Sequence, residues 1–189
     1  MDLSRDYFEL FQLPQVFDVE TSLLAERYRA LQQQVHPDRF AGATDQEQRL
    51  AMQYATYVNE AYATLRAPLA RAIYMLDLAG RDIRENPALD PAFLMEQIEL
   101  REDLEALEAK GQGTEAEADA ERFMARLDDG IAALEVEFSG AMSGAALEGA
   151  APEGGDTALD AAEQSVYKLQ FLHKLRAEAS AVEERLLGY

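Results

Sequence analysis

Residues 24–47 read LAERYRALQQQVHPDRFAGATDQE, and this stretch predicts two antiparallel helices joined by a short loop. Pro37 should end the first helix because proline lacks an amide hydrogen and disfavours helix in the residue before it. Thr44 and Glu47 have the spacing of a capping box, which predicts the start of the second helix. The first helix has an apolar face whose members are four, three and four residues apart: Leu24, Tyr28, Leu31 and Val35. We therefore expect a helical hairpin connected by residues 36–43.

The connection begins with His36-Pro37-Asp38, three residues suited to docking on another protein. The carboxylate of Asp38 can pair with an arginine of a partner, and His36 can donate or accept a hydrogen bond beside it. One alternative is an incidental polar connection, because this tripeptide occurs by chance in about one in a hundred chains of this length. Catalysis by His36 and Asp38 is a second alternative, but no nucleophile or oxyanion donor is evident nearby. The pattern favours a docking loop.

The remainder of the N-terminal part also has helical periodicity. We expect a short first helix from Arg5 to Leu13 and a further short helix from Pro68 to Gly80. Residues 1–79 would then form one unit, a helical hairpin with short flanking helices. Residues 80–90 contain helix-breaking glycine and proline, which predicts a linker.

Residues 91–189 predict three long amphipathic helices packed as an antiparallel bundle. Asp90 followed by Pro91 is typical of a capped helix start. The Gly/Ala-rich stretch 139–156 is expected to be a flexible insertion. The predicted fold class is therefore all-α, with an N-terminal helical hairpin and a C-terminal three-helix bundle.

Composition excludes several classes of function. The chain has no cysteine and two histidines, His36 and His173, so thiolate chemistry is excluded and a histidine-rich metal site is not expected. The net charge is −19, of which residues 76–189 carry −16, so a nucleic-acid partner is not expected. No stretch is long and apolar enough for a membrane span, and residues 1–6 do not resemble a signal peptide. We expect a cytoplasmic protein that binds no metal, cofactor or membrane.

The helix over residues 91–107 has two apolar faces, whereas packing on one side requires only one. One face consists of Phe93, Leu100, Leu104 and Leu107. The other is centred roughly 150° away, on Leu94, Met95 and Ile98, beside Glu99 and Glu102. Either the helix is buried on two sides or the second face is an exposed binding patch. A similar apolar flank on the last helix, which contains Phe171, fits packing as well as binding.

The hairpin resembles a known family. Residues 28–40, YRALQQQVHPDRF, look like the signature of a J-domain, and residues 6–11 and 59–65 resemble that domain's two ends. The resemblance implies that residues 1–79 dock on a DnaK-type chaperone ATPase and stimulate its ATP hydrolysis. The implied chaperone-binding residues are His36, Pro37 and Asp38 of the loop, with basic charge from Arg27, Arg29 and Arg39. Gln32, Gln33 and Gln34 are neutral where the family usually has more basic residues.

The C-terminal part resembles a narrower family, the HscB-type co-chaperones of iron–sulfur cluster assembly. The resemblance lies in AFLMEQIELRE (residues 92–102), KLQFLHKL (168–175) and RAPLARAIYML (66–76). It implies that the bundle binds an IscU-type scaffold protein and delivers it to an HscA-like chaperone. The implied scaffold-binding residues are Leu94, Met95, Ile98, Glu99, Glu102 and Phe171. A general J-domain co-chaperone for unfolded clients and a structural helical adaptor with an incidental loop are the alternatives, and an enzyme is not expected.

Overall fold

The computed structural model describes residues 5–35, 42–83, 90–111, 113–148 and 155–187. Within these residues every regular element is an α-helix, so the all-α prediction is confirmed. The helices are α1 (Tyr7–Leu10), α2 (Thr21–Val35), α3 (Asp45–Arg66), α4 (Pro68–Leu78), α5 (Pro91–Glu108), α6 (Thr114–Glu148) and α7 (Gly155–Leu186). They divide into two compact units, Met1–Ala79 and Gly80–Tyr189.

Helix α1 is shorter than the sequence predicted. It is capped by Asp6, whose side chain accepts a hydrogen bond from the amide of Glu9, and it ends at Leu10 instead of Leu13. Gln12 has a φ of 53°, in the left-handed region that breaks a right-handed helix. The turn lets the amide of Leu13 bond back to the carbonyl of Phe8 at 2.8 Å.

Helices α2 and α3 form the antiparallel hairpin that the apolar spacing predicted. Tyr28 of α2 stacks on Tyr62 of α3 with ring centroids 3.9 Å apart. Leu24 and Val58 are completely buried between the helices. Helix α3 begins with the predicted capping box, in which Thr44 and Glu47 satisfy each other's backbone amides.

Helix α4 carries a buried guanidinium, that of Arg71, which is 6% exposed. Its Nη1 donates to the carbonyl of Leu65 at 2.5 Å, and its Cζ lies 4.7 Å from the ring centroid of Phe17. Arg71 therefore joins the end of α3 to the segment before α2, since hydrogen bonding and ring contact both offset the cost of burying its charge.

The second unit is a three-helix bundle, and its side-chain pairs define the helix directions. Between α6 and α7, Asp128 pairs with Arg176, while a Cβ built on Gly144 would lie 3.9 Å from the Cβ of Ala158. The residue number on α6 rises from 128 to 144 while its partner on α7 falls from 176 to 158, so these helices are antiparallel. Helices α5 and α7 run in the same direction, because the contacts Phe93–Phe171 and Arg101–Glu178 advance together. At the start of this unit, Arg81 pairs with Asp160 at 2.9 Å.

The prediction that residues 139–156 form a flexible insertion is wrong for most of that stretch. Residues 139–148 continue α6, and α7 already begins at Gly155; residues 149–154 lie outside the described part of the chain. Alanine has the highest helix propensity, and the alanines around Gly140 and Gly144 outweigh the cost of those glycines. Packing against α7 adds to this, since Gly144 faces Ala158 without a side chain between them.

Candidate functional site

The structure describes the two helices on either side of the loop that was predicted to contact a chaperone. His36, Pro37, Asp38 and Arg39 lie outside the described residues. Helix α2 ends at Val35, directly before them, and α3 begins at Asp45. Of the predicted chaperone-binding residues, the structure describes Arg27 and Arg29.

Arg27 holds the turn between α1 and α2. Its Nη1 donates to the carbonyl oxygens of Phe11, at 2.6 Å, and Gln12. These carbonyls follow the end of the four-residue helix α1, where the backbone has no intrahelical partner. The guanidinium of Arg27 therefore has a structural contact on its own unit, which the sequence did not indicate.

Arg29 projects from the exposed side of α2 and donates from Nε to the carbonyl of Ala25 at 3.2 Å. Its neighbour Tyr28 takes part in a polar cluster that spans the hairpin. The Tyr28 hydroxyl donates to Oδ1 of Asn59 at 3.0 Å, and Nε2 of Gln32 donates to the same oxygen at 3.3 Å. One of the neutral glutamines on α2 is therefore bound to α3.

Helix α5 has one buried and one exposed apolar face. Phe93, Leu100, Leu104 and Leu107 face the bundle and are 2–6% exposed. Leu94, Met95 and Ile98 face outward and are 44%, 64% and 59% exposed. Burial on two sides, one of the two interpretations of the sequence pattern, is therefore wrong. We call Leu94, Met95, Ile98 and Phe171 the α5/α7 patch.

Phe171 brings an aromatic ring from α7 to this patch. The ring is half-buried, and its centroid lies 5.8 Å from that of the buried Phe93, with the ring planes at 89°. Such edge-to-face contact is a favoured aromatic geometry. It explains how α7 can support a side chain that also reaches the surface.

Two cations lie on this aromatic pair. The guanidinium carbon of Arg101 is 5.8 Å from the centroid of Phe171, and Nζ of Lys168 is 5.4 Å from that of Phe93. Both distances are within the range of a cation–π contact. Sequence reasoning missed both residues. The signal for Arg101 was its position three residues after Ile98, on the same side of α5.

Carboxylates border the patch on the other side. Glu99 and Glu102 are exposed on α5, next to Ile98. The patch therefore combines an apolar centre with acidic groups on one side and Arg101 on the other. An arrangement of this kind fits a protein partner that has an apolar contact surface and at least one basic group.

A separate open groove of about 390 Å³ lies between α5 and α6. Lys110 and Arg122 both pair with Asp119, and the hydrogen bond from Lys110 holds the pKa of that carboxyl below its usual value. Arg126 pairs with Asp103 at 2.8 Å in the same groove. The Arg126–Asp103 pair connects α6 to α5, the Lys110–Asp119 pair connects α6 to the segment after α5, and the Arg122–Asp119 pair lies within α6. None of these residues belongs to the α5/α7 patch.

The described residues contain no group of three or more potential metal ligands. Among their helices, none is long and apolar enough to cross a membrane.

Comparison with known proteins gives a consistent result for both units. The family model described as the HSCB C-terminal oligomerisation domain matches residues 89–180. A Co-chaperone protein HscB homolog of Burkholderia multivorans is 41% identical over 190 residues, covering 98% of each chain.

Solved structures show the same similarity over almost the whole length. Chaperone HscB from Vibrio cholerae has a TM-score of 0.80 and 37% identity, covering 96% of this chain and 99% of that one. Human co-chaperone protein HscB also has a TM-score of 0.80, with 27% identity, covering 96% of this chain and 83% of that one. Sequence identity of this extent, together with the shared fold, leads to one conclusion: the chain belongs to the HscB family of co-chaperones.

Proposed function

We propose that this protein binds an IscU-type iron–sulfur scaffold protein, delivers it to an HscA-like chaperone of the DnaK type and stimulates that chaperone's ATPase. Membership of the HscB family supports a co-chaperone with a chaperone partner. The identity of the two partners, an IscU-type scaffold and an HscA-like chaperone, is what we propose beyond family membership. Cluster transfer to recipient proteins would be the outcome of this cycle.

The observation that carries the proposal is the exposure of the α5/α7 patch. Leu94, Met95 and Ile98 are surplus to the bundle's own packing, with 44%, 64% and 59% of their surfaces exposed. Adjacent exposed apolar side chains mark an interaction site, and acidic neighbours favour a partner whose surface carries complementary basic groups. We assign this patch, with Glu99 and Glu102, to the scaffold.

The chaperone contact is assigned to the N-terminal unit. His36, Pro37 and Asp38 would dock on the chaperone, with Arg29 and Arg39 supplying positive charge. Arg27 would contribute less directly, because one of its guanidinium nitrogens already donates to the carbonyls of Phe11 and Gln12. ATP would be hydrolysed by the chaperone, so this chain needs no catalytic residue or cofactor of its own.

The mechanism is bivalent. One unit holds the scaffold while the other docks on the chaperone, and the covalent connection between them raises the local concentration of each partner for the other. Scaffold and co-chaperone together should therefore stimulate the chaperone more than the sum of their separate effects. A general co-chaperone for unfolded clients would give no such preference for the scaffold.

The test is chaperone ATPase turnover measured with the co-chaperone alone, with the scaffold alone and with both. We expect stimulation by the co-chaperone alone and a synergistic increase when the scaffold is added. An unfolded, apolar client peptide serves as the control ligand. If the peptide gives the same synergistic increase in ATPase turnover as the scaffold at equal concentration, the general co-chaperone alternative is correct and the scaffold assignment is wrong.

A further inference from the structure

Arg101 lies where α5 and α7 meet, at the edge of the α5/α7 patch. It follows Ile98 by three residues and Leu94 by seven, so it shares their side of the helix. Its side chain nevertheless reaches across to α7. The guanidinium carbon lies 5.8 Å from the ring centroid of Phe171, and Nη1 donates to Oε2 of Glu178 at 3.1 Å.

These two contacts restrict both the arginine and the ring. Glu178 is seven residues beyond Phe171, two turns along α7, so it fixes the guanidinium from a second point on the same helix. Phe171 in turn is supported from below by the buried Phe93, at 89° between the ring planes. The half-buried ring of Phe171 therefore lies between the buried ring of Phe93 and the guanidinium of Arg101, which Glu178 of α7 holds in place.

We infer that Arg101 is a positioning residue for scaffold binding, which holds the ring of Phe171 in the orientation that the scaffold contacts. This inference rests on the proposed function, in which the patch that contains Phe171 binds the scaffold. Ordering the ring before binding removes an entropic cost that the complex would otherwise incur. Glu178 acts one step further away, by fixing the guanidinium of Arg101.

Stability alone does not explain the arrangement. The side chains of Arg101 and Glu178 are 46% and 38% exposed, and ion pairs this exposed contribute little to folding. Arg126 and Asp103 form a comparable pair between α5 and α6, with both side chains 51% exposed, and neither residue belongs to the α5/α7 patch. This second pair provides a matched control.

The experiment is a double-mutant cycle on scaffold affinity, measured by calorimetry with the full chain. The variants are Arg101→Gln, Phe171→Ala and both together, with Arg126→Gln as the control. Glutamine keeps the helix propensity and polar character of arginine but removes the cation. We expect Arg101→Gln to weaken binding about three- to fivefold in the native background. In the Phe171→Ala background it should add less than about twofold, because the ring that it positions is gone.

Two further measurements separate positioning from a merely structural role. Arg101→Lys retains the cation and should keep the affinity within about twofold of the native protein. In the free protein, Arg101→Gln should shift the aromatic NMR signals of Phe171, whereas Arg126→Gln should leave them in place.

Equal weakening by Arg101→Gln in both backgrounds would overturn the inference, since the arginine would then contact the scaffold directly. An unchanged affinity for Arg101→Gln would overturn it as well. The proposed function fails differently: Phe171→Ala would then leave scaffold binding intact, which removes the patch assignment together with the inference.

Discussion

Replacement of Leu94, Met95 and Ile98 by alanine separates a binding patch from a folding core. Full burial of a side chain of this size is worth about 1.5–3 kcal/mol. About half of each is still exposed, between 44% and 64%, so docking on a partner would add about 1 kcal/mol per side chain. The triple variant should therefore lose about 3 kcal/mol of binding free energy, which is about a hundredfold in Kd.

The same variant should hardly affect folding. Substitutions at exposed positions usually change the free energy of unfolding by less than about 0.5 kcal/mol each. Leu100 lies on the opposite face of α5 and is 2% exposed, so Leu100→Ala is the matched control for a core position. It should cost about 2–5 kcal/mol, which lowers the Tm of a unit of this size by at least about 8 °C.

The assay combines titration calorimetry against the scaffold with thermal melting followed by circular dichroism. We expect the triple variant to melt cooperatively near the native Tm and to bind about a hundredfold more weakly. A fall in Tm as large as that of Leu100→Ala would refute the reasoning, because the three side chains would then belong to the core. Native-like affinity would refute the patch assignment.

Three smaller predictions concern the stability of each unit. Burial, followed by the charge of Glu60 nearby, raises the pKa of Tyr7 from 10.0 to about 12. The folded N-terminal unit therefore favours the neutral phenol. This contribution to stability is fully present below pH 10 and is lost as the pH rises through 12. Tyr7→Phe should therefore reduce the alkaline loss of stability, measured by urea unfolding at pH 9 to 12. Arg27→Met should cost about 1–3 kcal/mol, because two backbone carbonyls lose their donor. Arg29→Met should cost less than about 0.5 kcal/mol, also by urea unfolding. Gly144→Ala should stabilise the bundle by about 0.5–1 kcal/mol in calorimetry, since the added methyl would make an ordinary contact, 3.9 Å from Ala158.

Short-range signals predicted much of the fold. The capping box of Thr44 and Glu47 and the Asp90 cap before Pro91 are both present, because each depends on residues within one helical turn. The extension of α6 to Glu148 was not predicted. Glycines in a sequence usually indicate helix ends or loops, but Gly144 lies in an alanine-rich helix that packs closely on α7. Contact between the two helices therefore stabilises a helix where the local sequence predicted a loop.

In the candidate site too, features within one helix were predicted from the sequence, whereas contacts between helices were not. Helical periodicity separated Leu94 and Ile98 from the buried face of α5, since both faces follow from positions on one helix. It could not reveal that Arg101 contacts Phe171, because these residues are 70 positions apart and meet only when α5 packs on α7. Nor could it show that Arg27 donates to the turn after α1, which depends on the left-handed conformation of Gln12.

Chaperone ATPase turnover with the native protein and with His36→Gln tests the central claim most directly. The same two proteins are titrated against the scaffold in parallel, so that loss of docking is distinguished from loss of the whole co-chaperone. We expect the native protein to stimulate turnover and His36→Gln to give none, while both bind the scaffold with equal Kd. Equal stimulation by both proteins, or no stimulation by the native one, would contradict the account.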